Sequence, residues 1–254
     1  MLTETQVQQY HEDGYVVPDY RLSEETLEGI RAAHDRLLDK HPKFRDYCPQ
    51  LLAWDLSFLN YARNPQILDM VEQVIGPNFA LWNSSFFAKP ALNGNKTPWH
   101  QDGEYWPIRP VATCTVWIAI DDATRENGCL KYMPGSHQRR QLRKHHMNEA
   151  EGLTLNQELG PKEYAEDKAF YLELEAGQMA LHDVFIVHGS EANTSPDSRR
   201  GMTLRYMPTT SVFDRDIADQ QTRDMKLIYN HADRTLYLMR GEDVSGKNDF
   251  RMRL

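Results

Sequence analysis

The hydrophobic period of this chain changes once, near residue 78, and that switch sets the fold class. Before it, apolar residues recur at helical spacing. Thr3 and Gln6 have the pattern of a capping box for a helix over 3–12. Gly14-Tyr15-Val16-Val17-Pro18 reads as a strand. Residues 24–39 put Leu27, Ile30, Leu37 and Leu38 on one helical face. A third helix has an Asn64 cap and Pro65 in its first turn. It carries Ile67, Met70, Val71 and Val74 as its stripe and stops at Gly76-Pro77. After residue 78 the apolar runs are short, β-branched and aromatic: 79–89, 112–120, 130–133, 169–174, 178–187 and 202–208. Turn residues such as Asn93-Gly94-Asn95, Glu126-Asn127-Gly128, Pro134-Gly135-Ser136 and Ala176-Gly177 separate them. Helices followed by many short strands predict a mainly β fold with flanking α-helices, an antiparallel sandwich or jelly roll. A single domain over 1–254 is expected, with a helical part to about 78, a core over about 79–210 and a C-terminal extension over 211–254. The polar stretch 137–168 reads as a long excursion or lid between strands.

Composition narrows the partners. A net charge of −8 argues against nucleic acid or an anionic membrane and leaves a small-molecule substrate. Cys48, Cys114 and Cys129 are odd in number and lack CxxC spacing, so they form neither a disulfide framework nor a zinc site. Free thiols suit a reducing compartment. The polar start Met1-Leu2-Thr3-Glu4 opens no signal peptide, and no run of 18 apolar residues occurs, so a cytoplasmic protein is expected. Nothing in the sequence sets an oligomeric state.

Chemistry enters with His100-Gln101-Asp102 and, far downstream, His188 and Arg199. In a strand, residues two apart point the same way, so His100 and Asp102 can face one cavity. His188 follows the apolar run Val184-Phe185-Ile186-Val187 and is expected at the end of that strand. Taken singly, each has a bland reading: His-x-Asp arises by chance, and a histidine on an apolar strand is usually a satisfied core residue. Together they make the two-histidine, one-carboxylate facial set of non-haem Fe(II) oxygenases. Such a set leaves iron positions open for 2-oxoglutarate and dioxygen. The far carboxylate of 2-oxoglutarate then calls for a rigid guanidinium fork. Arg199 suits it by spacing; Arg200 and Arg205 are the other candidates.

The chain resembles the phytanoyl-CoA dioxygenase family of Fe(II)/2-oxoglutarate oxygenases. The resemblance rests on Trp99-His100-Gln101-Asp102-Gly103, Glu126-Asn127-Gly128-Cys129-Leu130, Met133-Pro134-Gly135-Ser136-His137 and His188-Gly189-Ser190, with Arg199-Arg200 and Arg240-Gly241 fitting as well. It implies a double-stranded β-helix, a cupin-like jelly roll. It also implies that His100, Asp102 and His188 ligate iron and that Arg199, assisted by Ser190, pairs with 2-oxoglutarate. Trp117 falls near a tryptophan that lines the co-substrate site in the family, and Ser85 matches another co-substrate contact more weakly. Related halogenases carry a small residue in place of the carboxylate, so Asp102 favours hydroxylation.

For the primary substrate the expected contacts are Tyr105, Trp106 and Arg109, on the loop after the first ligands, with Asn83 on a neighbouring strand. The aromatic rings could face a methylammonium group, and Arg109 a carboxylate or phosphonate. His182 would share a face with His188 on a regular strand and could touch substrate; its bland reading is a hydrogen-bonded core residue. The basic run 137–146 reads as a solvated loop or a contact for an acyl-CoA phosphate. A hydroxylase of a small amine, amino acid or organophosphonate is the expectation. The rivals are a cupin-like isomerase or hydrolase without 2-oxoglutarate, and a non-catalytic jelly-roll binding module.

Overall fold

A computed structural model describes residues 1–227 and 229–253. Six α-helices are formed: α1 (Glu4–Asp13), α2 (Glu24–Lys40), α3 (Leu51–Trp54), α4 (Leu59–Ala62), α5 (Pro65–Ile75) and α6 (Arg215–Asp224). The local signals act as expected. The Thr3 hydroxyl accepts from Gln6 N at 3.2 Å while the Gln6 side chain accepts from Thr3 N at 2.9 Å. Gly14 ends α1 in the left-handed region at φ 86°, where a Cβ would clash. Asn64 accepts from the backbone N–H groups of Gln66 and Ile67, and Pro65 opens α5.

Fifteen strands are formed among the described residues. The first eight are β1 (Tyr15–Val16), β2 (Tyr47–Cys48), β3 (Phe79–Lys89), β4 (Thr97–His100), β5 (Ile108–Arg109), β6 (Cys114–Ala119), β7 (Leu130–Tyr132) and β8 (His145–Met147). The rest are β9 (Gln157–Leu159), β10 (Phe170–Leu172), β11 (Met179–Asp183), β12 (His188–Ser190), β13 (Arg199–Pro208), β14 (Val212–Phe213) and β15 (Tyr237–Arg240). The larger sheet runs β1-β11-β6-β13-β3-β15, with β2 also on β3; the smaller runs β10-β7-β12-β4. Antiparallel pairing throughout these two sheets makes the jelly-roll core. The C-terminal segment 211–254 does not stand apart, because β15 completes the edge of the large sheet against β3.

The large sheet is buried on both faces. One face meets the helices: Leu27, Ile30, Ile67, Met70, Phe79, Leu81, Phe86, Val116, Met202 and Leu204 share one apolar cluster. Trp117, Ala119 and Ala180 look the other way, onto Leu130, Tyr132 and Leu172 of the small sheet.

A β-bulge decides which residues of β3 see the site. In the β3–β13 ladder Arg205 pairs with Asn83 and the next residue, Tyr206, pairs with Leu81, so Trp82 is the extra residue. Phe79 and Leu81 lie in the helix-facing cluster before the bulge, and Phe86 does after it. Side-chain parity is thereby reversed, which turns Asn83, Ser85 and Phe87 towards the inner face.

The 178–187 run is not one strand. β11 ends at Asp183, and the chain turns through Val184–Val187 before β12 begins at His188 in the other sheet. His182 and His188 therefore sit on opposing sheets, and His188 starts a strand rather than ending one. Their rings still approach to 5.0 Å because the two sheets face each other here. Likewise His100 closes β4, whereas Asp102 opens a 3₁₀ turn, Asp102–Tyr105. Gln101, in extended conformation (φ −116°, ψ 131°), joins them and keeps both side chains on one side.

Candidate active site

Strand pairing brings the distant histidines together. His188 of β12 is the direct cross-strand partner of His100 of β4, and the ring centroids lie 4.2 Å apart. With Asp102 they place donor atoms within 4.8 Å of one another, all buried. Each histidine directs Nδ1 at a backbone carbonyl, Pro98 O at 2.8 Å for His100 and Ile186 O at 3.1 Å for His188. A ring that donates from Nδ1 leaves the Nε2 lone pair free for a metal. Nε2 of His100 is 3.6 Å from Asp102 Oδ1, and Nε2 of His188 is 3.9 Å from the same oxygen.

Burial, then the charge of His100, pushes His188 well below the usual histidine range. Burial alone would push Asp102 up. Hydrogen bonding from His100 and His182, with the charges of His188 and Arg205, outweighs it and keeps the carboxyl well below its usual range. Two imidazoles and a carboxylate suit a divalent iron.

Behind the triad is a small cavity of about 30 Å³ lined by Thr97, Trp117, His188, Ser190, Arg199 and Thr203, among others. Arg199 is 1% exposed and has no carboxylate within salt-bridge range among the described residues. Its guanidinium donates to Phe87 O at 3.2 Å and Gly128 O at 2.7 Å, while Nε has no partner. Burial pushes it down to about 10. The Ser190 hydroxyl is also buried and unpartnered. A buried, unpaired cation and an orphaned hydroxyl in one cavity have the right chemistry for a carboxylate. Arg200 faces elsewhere, locked to Asp121 through Nε at 2.8 Å and Nη2 at 2.9 Å.

A family model described as phytanoyl-CoA dioxygenase (PhyH) matches residues 10–201. The chain belongs to this family. Human peroxisomal phytanoyl-CoA dioxygenase is 28% identical over 233 residues, covering 81% of this chain and 68% of that protein. A phytanoyl-CoA dioxygenase domain-containing protein 1 homolog of Dictyostelium discoideum is 31% identical over 153 residues, 59% of this chain and 54% of that one. The chain thus spans between about half and about two-thirds of these relatives. Among solved structures, a non-haem monooxygenase, ThoJ, superposes with a TM-score of 0.72 at 22% identity, covering 97% of this chain and 88% of that chain. The α-ketoglutarate-dependent carbocyclase SnoK gives 0.71 at 26%, covering 84% and 86%. As a member of the phytanoyl-CoA dioxygenase family with the donor triad intact, the chain is a 2-oxoglutarate-dependent oxygenase. Iron is its metal, and 2-oxoglutarate and dioxygen are its co-substrates. No helix among the described residues is long and apolar enough to cross a membrane.

A second cavity, of about 520 Å³, opens on the other side of Asp102. Asn83, Tyr105 and Trp106 line it, with Phe44, Tyr47, Phe87, Arg205, Tyr229, His231 and Arg234. Part of the 137–168 stretch covers it: β8 and β9 form a hairpin whose connection, including Asn148, Leu153 and Asn156, lines the cavity.

Three expected contacts fall elsewhere. Arg109 is exposed, folds back onto the carbonyls of Trp106 and Ile108, and lines neither cavity. The edge pairing of β5 with β14 turns it outwards. Ser85 also lines neither; its hydroxyl accepts from Arg205 Nη1 at 2.8 Å and so braces that arginine. His182 borders the small cavity, not the large one, and is held between the Tyr132 hydroxyl and Asp102. The basic run is mostly solvent-exposed and outside both cavities; Arg140 pairs with Asp183 at 3.2 Å. Sequence reasoning missed His231 and Arg234 altogether, since neither belongs to a motif or a periodic element.

Proposed function

We propose that this oxygenase hydroxylates an unactivated C–H bond of a small polar metabolite, an amine, amino acid or organophosphonate, with release of succinate and carbon dioxide. One observation carries the reading: the two cavities meet at the triad and share Phe87, Asp102 and Arg205 as common wall. A co-substrate compartment and a substrate compartment on either side of one metal position are what the reaction needs.

His100, Asp102 and His188 hold the iron through Nε2, Oδ1 and Nε2. Arg199 and Ser190 receive the distal carboxylate of 2-oxoglutarate, and Trp117 walls its chain. When bound, iron and 2-oxoglutarate supply the activation of dioxygen. The protein keeps water out: His100, Asp102 and His188 are each 5% exposed or less. Asn83, Tyr105 and Trp106 position the substrate. An exposed Arg109 takes no part in it.

The test is an anaerobic titration with Fe(II) and 2-oxoglutarate, watching for the visible charge-transfer band of the chelate, followed by a metabolite panel scored by succinate release and product mass. The expected outcome is a band that weakens in Asp102→Ala, and a product one oxygen atom heavier than its substrate. A product two hydrogens lighter, or succinate release undiminished in Asp102→Ala, would overturn the hydroxylase reading.

A further inference from the structure

The large cavity has an excess of positive charge that no protein carboxylate neutralises. Lys43, Arg205, Lys226 and Arg234 line it against only Asp102 and Glu149. Lys226 is taken by Glu149, at 3.2 Å and in solvent. Asp102 belongs to the triad. Among the described residues, Arg205 and Arg234 have no carboxylate within 4.0 Å, although they are 4% and 7% exposed.

These two guanidiniums are aimed deliberately. The inner face of β3 after the bulge supplies the brace. Arg234 donates to Asn83 Oδ1 and, from both Nη atoms, to Pro49 O at 3.2 Å. Arg205 donates to Ser85 Oγ at 2.8 Å, and Asn83 Nδ2 reaches that same oxygen at 3.3 Å. Asn83 and Ser85 thus tie the two cations into one hydrogen-bonded row. Aromatic faces back them, Trp106 5.2 Å from Arg205 and Trp82 5.4 Å from Arg234. Nε of both arginines remains buried without a partner, and so does Nδ1 of His231 beside them. Neutral braces hold the guanidiniums in place but cancel no charge. A buried unpaired cation is costly, and a low-dielectric cleft of one sign concentrates the opposite ion.

We propose that the primary substrate carries an oxyanion, a carboxylate or a phosphonate, which docks on Arg234 and Arg205 while the rest of the molecule extends towards Asp102. The proposal rests on the oxygenase reading above and narrows its substrate class. It moves the anion contact from the exposed Arg109 to the buried pair. A plain amine is disfavoured, because among the described residues Glu149, already paired, is the only acid besides Asp102 on the cavity wall. An amino acid or aminophosphonate binds by its acidic end.

The experiment uses the protein loaded anaerobically with Fe(II) and 2-oxoglutarate, and three probes of matched length: pentylphosphonate, pentanoate and pentylamine. Calorimetry reads binding and the visible band reads the chelate. Both anions are expected to bind and the amine to fail. Arg234→Met is expected to weaken anion binding by about thirtyfold or more with 2-oxoglutarate affinity unchanged. Arg234→Lys, which keeps the charge and the fold, should restore part of it, and Arg109→Ala should change nothing. The proposal is overturned if pentylamine binds as well as the anions, or if anion affinity is unaltered in Arg234→Lys and Arg234→Met. It is equally overturned if 2-oxoglutarate affinity falls in step, since the pair would then serve the co-substrate. A wild-type protein that binds the anions but forms no chelate band would instead sink the oxygenase reading, leaving the anion site standing.

Discussion

His182 Nε2 lies 3.5 Å from Asp102 Oδ2, the oxygen turned away from the other two triad residues. Oδ1 faces His100 and His188; Oδ2 faces His182 and the Thr115 hydroxyl, also at 3.5 Å. The carboxylate thereby turns one oxygen to the two histidines and has the other braced. The Tyr132 hydroxyl, 2.8 Å from His182 Nδ1, completes the brace: as donor there, it leaves the Nε2 proton for Asp102.

Removing the brace should loosen the metal without touching a ligand. His182→Leu is expected to lower iron affinity about tenfold or more, in the range found for partners of metal ligands. Iron titration of the variant is the measurement; an affinity equal to wild type would mean that Thr115 alone orients Asp102.

The two adjacent arginines separate cleanly. Arg199→Ala should raise the 2-oxoglutarate requirement about a hundredfold, the effect of removing one partner of a buried charge pair. Arg200→Ala should leave that requirement unchanged, because Arg200 spends its donors on Asp121 and Asp35. Steady-state kinetics at varied 2-oxoglutarate distinguishes them, and the reverse pattern would reassign the co-substrate contact.

Gly201 makes room for the wall of the small cavity. A Cβ there would come within 2.3 Å of the Trp117 ring, which also lies 5.4 Å from the Arg199 guanidinium. Gly201→Ala is expected to displace Trp117, destabilise the fold by about 1–3 kcal/mol and weaken 2-oxoglutarate binding. Denaturant unfolding and the chelate titration check the two effects separately; normal values in both would remove Trp117 from the co-substrate wall.

Stability should fall in mild acid through His34. This residue is 1% exposed, stacked 4.1 Å from the Phe86 ring, with neither nitrogen hydrogen-bonded. Burial, helped by the charge of Arg200, pushes it from the usual 6.5 down to about 4. The folded state therefore binds this proton less readily than the unfolded one. Stability is complete above pH 6.5, declines as pH falls through the window to about 4, and levels off below. The loss amounts to about 3 kcal/mol. Tm measured from pH 7 to pH 4 should flatten in His34→Leu; an unchanged slope would assign the acid sensitivity to other groups.

Much of this architecture is local enough to be legible. Thr3 with Gln6, and Asn64 with Pro65, bound their helices, and 79–89 is a strand from end to end. The candidate triad and Arg199 stand out as candidates in the sequence because their chemistry lies in residue type and order. The position of Arg109 soon after His100 and Asp102 suggests a pocket wall, whereas a two-residue edge pairing with β14 turns it to solvent. A continuous strand would put His182 and His188 on one face, whereas the break after Asp183 puts them on facing sheets.

The fold class and the iron and 2-oxoglutarate chemistry are legible in the chain alone, since side-chain chemistry and short-range periodicity are carried by neighbouring residues. Tertiary structure decided the rest. The His188–His100 register, the bulge at Trp82 that turns Asn83 and Ser85 inwards, and the return of Arg234 from the C-terminal segment all depend on pairing between distant strands. In a sheet, a shift of one residue reverses every side chain. Only the completed ladder therefore fixes which charges line the larger cavity.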